Sequence, residues 1–460
     1  MRPRRTSVFL TVCVAAFALT ASPMANAGVS APVRYSGVLA NGATWTARVP
    51  ASWNGSLVLF SHGFRIGPDN PAVDAPDEPT AEALLERGFA LAGSSYARTG
   101  WAVDTAVADQ LDTVDALGKL AGRPREVIAF GQSMGGLVSA LLAERGGRRV
   151  DGALTTCGLV AGALNLNNHQ LDGTYAVAEL LLPGQRVQLT GFTTFDEANA
   201  TVAALTAAVR QAQTTPAGRA RIALAAALMN MTTWSTGGTP PAPEDWNAQQ
   251  QAQYEGLLAT LPFVVPARVT INAVAGGDSS WNAGVDYRSL ASRSGRFPEV
   301  STLYRQAGLD LARDLDRLTR GATIKPDFAA VRWLSATSVP GGRLAAPELT
   351  LHTLSDTLAP VEFEREYAGK VVRAGGANLL RQAYVSHIGH CAFTPAEHVA
   401  GLLAVHNRIR TGTWGNSTEP RRLQQVAQSL GLGPSAFVTY RPEPFVNDRA
   451  DRLTRNGGAG

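Results

Sequence analysis

The chain has 460 residues, 45% of them hydrophobic and 17% charged, with 41 Lys+Arg against 37 Asp+Glu and a formal net charge of +4. That composition excludes disordered, collagen-like and disulfide-scaffold proteins, and the length suffices for two domains or one decorated domain with a sizeable core. A nucleic-acid binder would show a basic excess or a basic stripe, and neither is present.

The first segment reads as an address. Arg2, Arg4 and Arg5 precede an apolar stretch from Ser7 to Thr20, and Ala25-Asn26-Ala27 fits the small-x-small rule for cleavage after Ala27. Residues 1–27 are expected to be a secretory signal peptide, because the apolar run is short for a membrane span. Its removal lowers the formal charge from +4 to +1 (three arginines leave). No other run of about 18 apolar residues is expected, so no membrane insertion is expected. Cys13 leaves with the signal. Cys157 and Cys391 remain, and two cysteines in an oxidising compartment suggest one disulfide.

Residues 33–49 read as a hairpin about Asn41-Gly42, a two-residue turn signal. Strands are expected at 56–61, 89–96, 126–131 and 152–156, with helices at 103–120 and 134–144 between them. Continuous apolar strands alternating with helices predict an α/β fold with a mostly parallel, doubly wound sheet. From 159 to 345 the pattern changes to helix signals and loops. Ala-rich helical runs occupy 197–210 and 217–231, a Gly/Pro linker occupies 236–243, and 300–320 reads as one helix laced with Asp and Arg, its charges a solvated face. The alternation resumes with a strand at 348–354, a helix at 361–373, a strand at 379–385 and a helix at 395–409. The expected organisation is therefore a core in two parts, 28–158 and 346–448, interrupted by a helical lid at 159–345 and ended by a frayed tail at 449–460.

The chemistry falls at strand ends. Gly131-Gln132-Ser133-Met134-Gly135 is G-x-S-x-G between an expected strand and an expected helix, the context in which that motif presents a nucleophile on a sharp turn. Ser61-His62-Gly63-Phe64 ends an earlier strand. Acyl transfer needs two backbone N–H groups aimed at the developing oxyanion, and those of Phe64 and Met134 are the candidates. His62 itself reads as a structural histidine that hydrogen-bonds its loop. Asp356 follows the strand at 348–354, and His390 lies 34 residues later (390 − 356) beyond the next strand. His387 and His352 are rival histidines, and Asp316 and Glu362 are rival acids.

These residues together resemble a secreted α/β-hydrolase of the serine esterase type with a large inserted lid. The resemblance covers roughly 33–158 and 345–410. It implies a nucleophile at Ser133, a general base at His390, an orienting acid at Asp356 and an oxyanion hole at Phe64 and Met134, in the Ser…Asp…His order of that fold. The cysteine beside the histidine is also similar to tannase and feruloyl esterase relatives, where a disulfide ties the nucleophile region to the histidine loop. Here Gln132, not cysteine, precedes Ser133. In such a fold the ends of both strands face one rim, so a Cys157–Cys391 bridge would pin the histidine loop.

The resemblance implies hydrolysis of a small-molecule carboxylic ester, with a lidded exopeptidase as the second reading and a non-catalytic scaffold as the third. Glu197, Glu244 or Asp286 would be the amine-holding acid of the second. The insertion's Trp234, Trp246, Tyr254, Phe263, Trp281 and Tyr287 line either the acyl pocket or the lid's own core. No metal constellation, phosphate loop or dinucleotide fingerprint is present, so no metal or cofactor is expected.

Overall fold

The hairpin of β1 (Val33–Val38) and β2 (Thr44–Val49) is antiparallel, but its connection runs from Leu39 to Ala43 and is longer than a two-residue turn. Asn41 explains the difference. Its Oδ1 accepts from the Ala43 N–H, and its amide reaches Asp109 at 2.5 Å, so it ties the turn to a helix. The computed structural model describes residues 31–449; the expected signal peptide lies outside the described residues.

The first half of the core continues with β3 (Ser56–Ser61), α1 (Glu78–Glu86), β4 (Ala90–Ser94), α2 (Val103–Ala121), β5 (Glu126–Gln132), α3 (Met134–Arg145) and β6 (Gly152–Thr156). Helix α1 escaped the sequence reading because it is short, although Asp77 caps it and Pro79 opens it. The segment between β6 and β7 (Glu348–Ser355) carries no strand. It holds α4 (Ala163–Leu181), α5 (Phe195–Ala212), α6 (Pro216–Leu228), α7 (Trp246–Ala275), α8 (Tyr287–Ser292), α9 (Phe297–Gln306), α10 (Leu311–Gly321) and α11 (Phe328–Thr337). The chain then completes the sheet with α12 (Glu362–Arg373), β8 (Leu380–Ile388), α13 (Pro395–Thr411), α14 (Pro420–Leu430) and β9 (Phe437–Val438).

The nine strands form one sheet in the order β1-β2-β4-β3-β5-β6-β7-β8-β9. Strands β3 to β8 are parallel, and β1, β2 and β9 add antiparallel edges. Alternate residues of one strand feed opposite faces. Leu57 and Leu59 of β3 enter the core shared with α2 and α3, while Val58 and Phe60 enter the core shared with α1 and α13. That two-sided burial is why β3 and β5 read as unbroken apolar runs.

The insertion departs from expectation in three places. The single helix expected at 300–320 is two, because Gly308 turns at φ +66 and Asp310 caps a new start by accepting from Arg313 N–H. Its charged face is only partly solvated: Asp314 is buried and pairs with Arg221 and Tyr304. Helix α7 is long and apolar enough to cross a membrane by length and composition, with mean hydropathy 1.6 over an 18-residue window, which corrects the expectation of no such run. Leu257, Leu261, Val264 and Val265 are buried inside the protein, so the apolar run builds a core.

The expected frayed tail is also corrected at its first residue. Arg449 is buried and makes a bidentate ion pair with the fully buried Asp172 of α4. Tyr287 and Asn447 donate to the same carboxylate. Residues 450–460 lie outside the described residues.

Candidate active site

Ser133 sits between β5 and α3 at φ 58 and ψ −120, a left-handed conformation that a non-glycine residue adopts only when its surroundings hold it there. Its N–H donates to Thr156 O, and its own carbonyl accepts from Leu137 and Leu159. The flanking glycines are steric necessities. A Cβ on Gly131 would stand 2.0 Å from Gly135 O, and one on Gly135 would stand 2.0 Å from Ser61 O. The motif spacing is therefore the geometry of three backbones in contact.

The three dispersed residues meet at the C-terminal ends of the parallel strands. Ser133 Oγ lies 2.7 Å from His390 Nε2, and His390 Nδ1 lies 2.7 Å from Asp356 Oδ2. Asp356 Oδ1 accepts from the N–H groups of Leu358 and Ala359, each at 2.9 Å. The carboxylate is fully buried. Burial alone would raise its pKa, but the charge and hydrogen bond of His390, with His352 close behind, hold it well below the usual carboxylate range. It is an ionised acceptor, which fixes His390 with a proton on Nδ1 and a free Nε2 toward the serine.

The His-Gly loop crosses this point. A Cβ on Gly63 would lie 3.3 Å from Ser133 Cβ. Among the described residues the backbone N–H groups of Phe64 and Met134 donate to no protein acceptor, as donors reserved for an oxyanion would. His62 is the loop's support: it is buried, its ring nitrogens contact Gly63 O and Ser95 O, and it stacks on Tyr96. Burial lowers its pKa to about 4.

The rivals have other occupations. His387 pairs with Glu397 at 2.9 Å. Asp316 pairs with Arg288 at the surface, and Glu362 pairs with Arg296. His352 stands behind the site, fully buried, 3.0 Å from Glu364 and 3.6 Å from Asp356. Burial alone would make it less basic, but the two carboxylates raise its pKa to about 10. A folded value above the ordinary 6.5 means the pairing stabilises fully below about pH 6.5 and is lost as the pH climbs toward 10. The melting temperature should therefore fall between about pH 7 and 9.5, and His352→Gln should flatten that slope. Thermal melts across this range check it, and a variant with the wild-type slope contradicts the protonated pair. Buried tyrosines such as Tyr367, raised by desolvation, add their own losses only at higher pH.

Cys157 and Cys391 are bonded, with Cα atoms 5.2 Å apart. Their sulfurs and a His390 ring nitrogen lie within 4.8 Å of one another. Metal ligation needs thiolate, which the bridge removes, so this cluster does not fit a metal. The bridge starts after β6, not beside Ser133. Gln132, before the serine, instead places its amide 3.1 Å from His398.

Ser133 and His390 open into a narrow apolar cavity of about 40 Å³, walled by Phe64, Trp101, Leu358 and, from the insertion, Phe263, Val264 and Gln170. Of the six aromatics singled out in the insertion, Phe263 alone borders it. Tyr287 is in the insertion's core, Trp246 and Tyr254 pack against that core, Trp234 is buried, and Trp281 lies beside Arg449. Trp101 and Gln170 carried no sequence signal: an aromatic before a helix and a glutamine within one match no motif.

A relative, the o-phthalyl amidase of Xanthobacter agilis, is 30% identical over 433 residues, which cover 87% of this chain and 92% of its own. No family model matches. Among solved structures, an esterase from Aspergillus oryzae aligns over 83% of this chain and 80% of its own at TM-score 0.43 and 14% identity, and feruloyl esterase B from the same organism over the same shares at 0.37 and 13%. The α/β-hydrolase fold rests on the sheet order and the turn at Ser133, not on those alignments.

Proposed function

The chain belongs to the family of the o-phthalyl amidase, and from that premise we propose that it is a secreted serine hydrolase cleaving the amide of a small aromatic carboxylic acid through an acyl-enzyme on Ser133. The observation that carries this reading is the unbroken line of two 2.7 Å contacts from Ser133 through His390 to Asp356. In this mechanism His390 Nε2 takes the serine proton as Oγ attacks the acyl carbon. The N–H groups of Phe64 and Met134 receive the oxyanion, each donor contributing about 3–4 kcal/mol. His390 then protonates the departing nitrogen, and a water activated by the same imidazole releases the acid.

Carboxylic ester hydrolysis, the leading expectation from the sequence, is retained as the second reading. The acyl half of the reaction is identical, and an alkoxide leaves more readily than an amine. For the exopeptidase reading, Glu197 is engaged in the capping box of α5 with Thr194 and Asp286 caps α8, while Glu244 lies exposed before α7. The test is one plate of phthalic monoamides, p-nitrophenyl esters and aminoacyl p-nitroanilides, read with wild type and Ser133→Ala. Turnover of the monoamides supports the amidase, turnover of esters alone supports the second reading, and turnover that survives the substitution overturns the site. Secretion is checked by the mass of the exported protein, which should begin at Gly28.

Phe64 and Phe263 both line the cavity and form an edge-to-face pair with ring centroids 5.8 Å apart, and we take this pair as the gate to the cavity. Phe263 is 39% exposed, so its loss leaves little buried void. Phe263→Ala should extend the p-nitrophenyl ester profile toward longer acyl chains, and an unaltered profile would contradict the gate.

A further inference from the structure

Asp356 uses its two oxygens unequally. Oδ1 accepts from the loop N–H groups of Leu358 and Ala359, whereas Oδ2 faces two imidazoles, Nδ1 of His390 at 2.7 Å and Nε2 of His352 at 3.6 Å. His352 Nε2 also lies 2.8 Å from the carbonyl of Ala359, which can only accept. Its Nδ1 lies 3.0 Å from Glu364 Oε1, and the other oxygen of that carboxylate already accepts from Thr350 Oγ1 and the Gln382 amide. Both ring nitrogens therefore face acceptors, and both carry a proton. His352 and Glu364 are fully buried. Around the pair stand Tyr384, the register partner of His352 on β8, and Glu348 and Tyr367, joined at 2.6 Å farther along the same face of β7.

We propose that His352, held as a cation by Glu364, is a positioning residue of the active site: it fixes Asp356 from behind and sets how readily His390 takes up a proton. This deepens the serine-hydrolase reading and rests on it. A cation on the far side of Oδ2 opposes a second positive charge on His390, whereas Glu364 favours one. With its pKa raised to about 10 against its burial by Asp356 and Glu364, His352 stays charged across the neutral range. The contact with Ala359 adds a mechanical part, because the nitrogen that faces Asp356 also holds the loop whose amides cap the other carboxylate oxygen.

The test is the pH dependence of kcat/KM for p-nitrophenyl acetate, read for wild type, His352→Gln, Glu364→Gln and the double variant. Loss of the cation favours proton uptake at His390, so the acidic limb of His352→Gln should move up by about one pH unit. Loss of the anion leaves the cation less compensated, so the limb of Glu364→Gln should move down by a similar amount. The double variant removes both charges and should bring the limb back toward its wild-type position. Two single variants whose limbs move the same way overturn the proposal, and so does a His352→Gln limb that stays in place, because packing alone sets no such opposition of sign. A second check needs no variant. Nitrogen NMR of histidine-labelled wild type should show an imidazolium shielded from solvent at about pH 8.5, where an ordinary histidine is neutral. Its absence overturns the proposal as well. Acetate turnover that survives Ser133→Ala would remove the serine-hydrolase reading itself. Turnover abolished by Ser133→Ala, with both limbs unmoved, would remove the role of His352 alone.

Discussion

Ser133→Ala is expected to lower kcat by about 10⁴–10⁶ for amide and ester substrates alike, because the three residues act as one unit and removal of the nucleophile forfeits all of it. Stability should barely move. The Oγ makes its hydrogen bond to His390 alone, and a methyl group fits the same turn. Asp356→Asn makes a sharper test. The shape is kept, but the amide presents a donor to a nitrogen that carries its own proton, so His390 is driven into the wrong tautomer. A loss of about 10⁴ in kcat is expected. Unlike the serine variant it should also destabilise, since the Asp356 carboxylate faces His352 as well as His390. Rates within tenfold of wild type for either variant would place the chemistry elsewhere.

The second large effect is expected on stability. Replacing both Cys157 and Cys391 by serine should cost about 3–5 kcal/mol through the freed unfolded chain. The two cysteines adopt positive φ, 44 and 56, and Gly389 before the histidine sits at 113. With the bridge cut, those left-handed residues lose the tie that holds them, so kcat should fall with stability. Denaturant unfolding with and without a thiol reductant checks it. Reductant should destabilise wild type and leave the double variant unaffected. A wild type indifferent to reductant under unfolding conditions contradicts the bridge.

The legible part of the structure was the part with local period. Buried parallel strands announce themselves as apolar runs, and the Ser133 motif, with an acid and a histidine after later strands, marks the site because the fold always delivers those strand ends to one rim. The insertion has no such rule. Its Ala-rich helices show where helix forms but not what each face meets, so a single glycine at 308 split an expected helix and only one of six aromatics reached the cavity. Long-range ionic pairing is silent for the same reason. Asp172 and Arg449 meet across most of the chain, and nothing in the neighbourhood of either shows it.

The bridge has a consequence in time as well as in energy. Cys157 and Cys391 are 234 residues apart. On a chain made from its N-terminus at about 5–20 residues per second, the first thiol waits about 10–50 s for the second, while the entire helical segment is being laid down. The sole other cysteine it could capture within its own chain is Cys13. Under the proposed cleavage after Ala27, Cys13 departs with the leader, and the chain that remains can close in one way only. Maturation then requires an oxidant but no isomerase to sort its pairings.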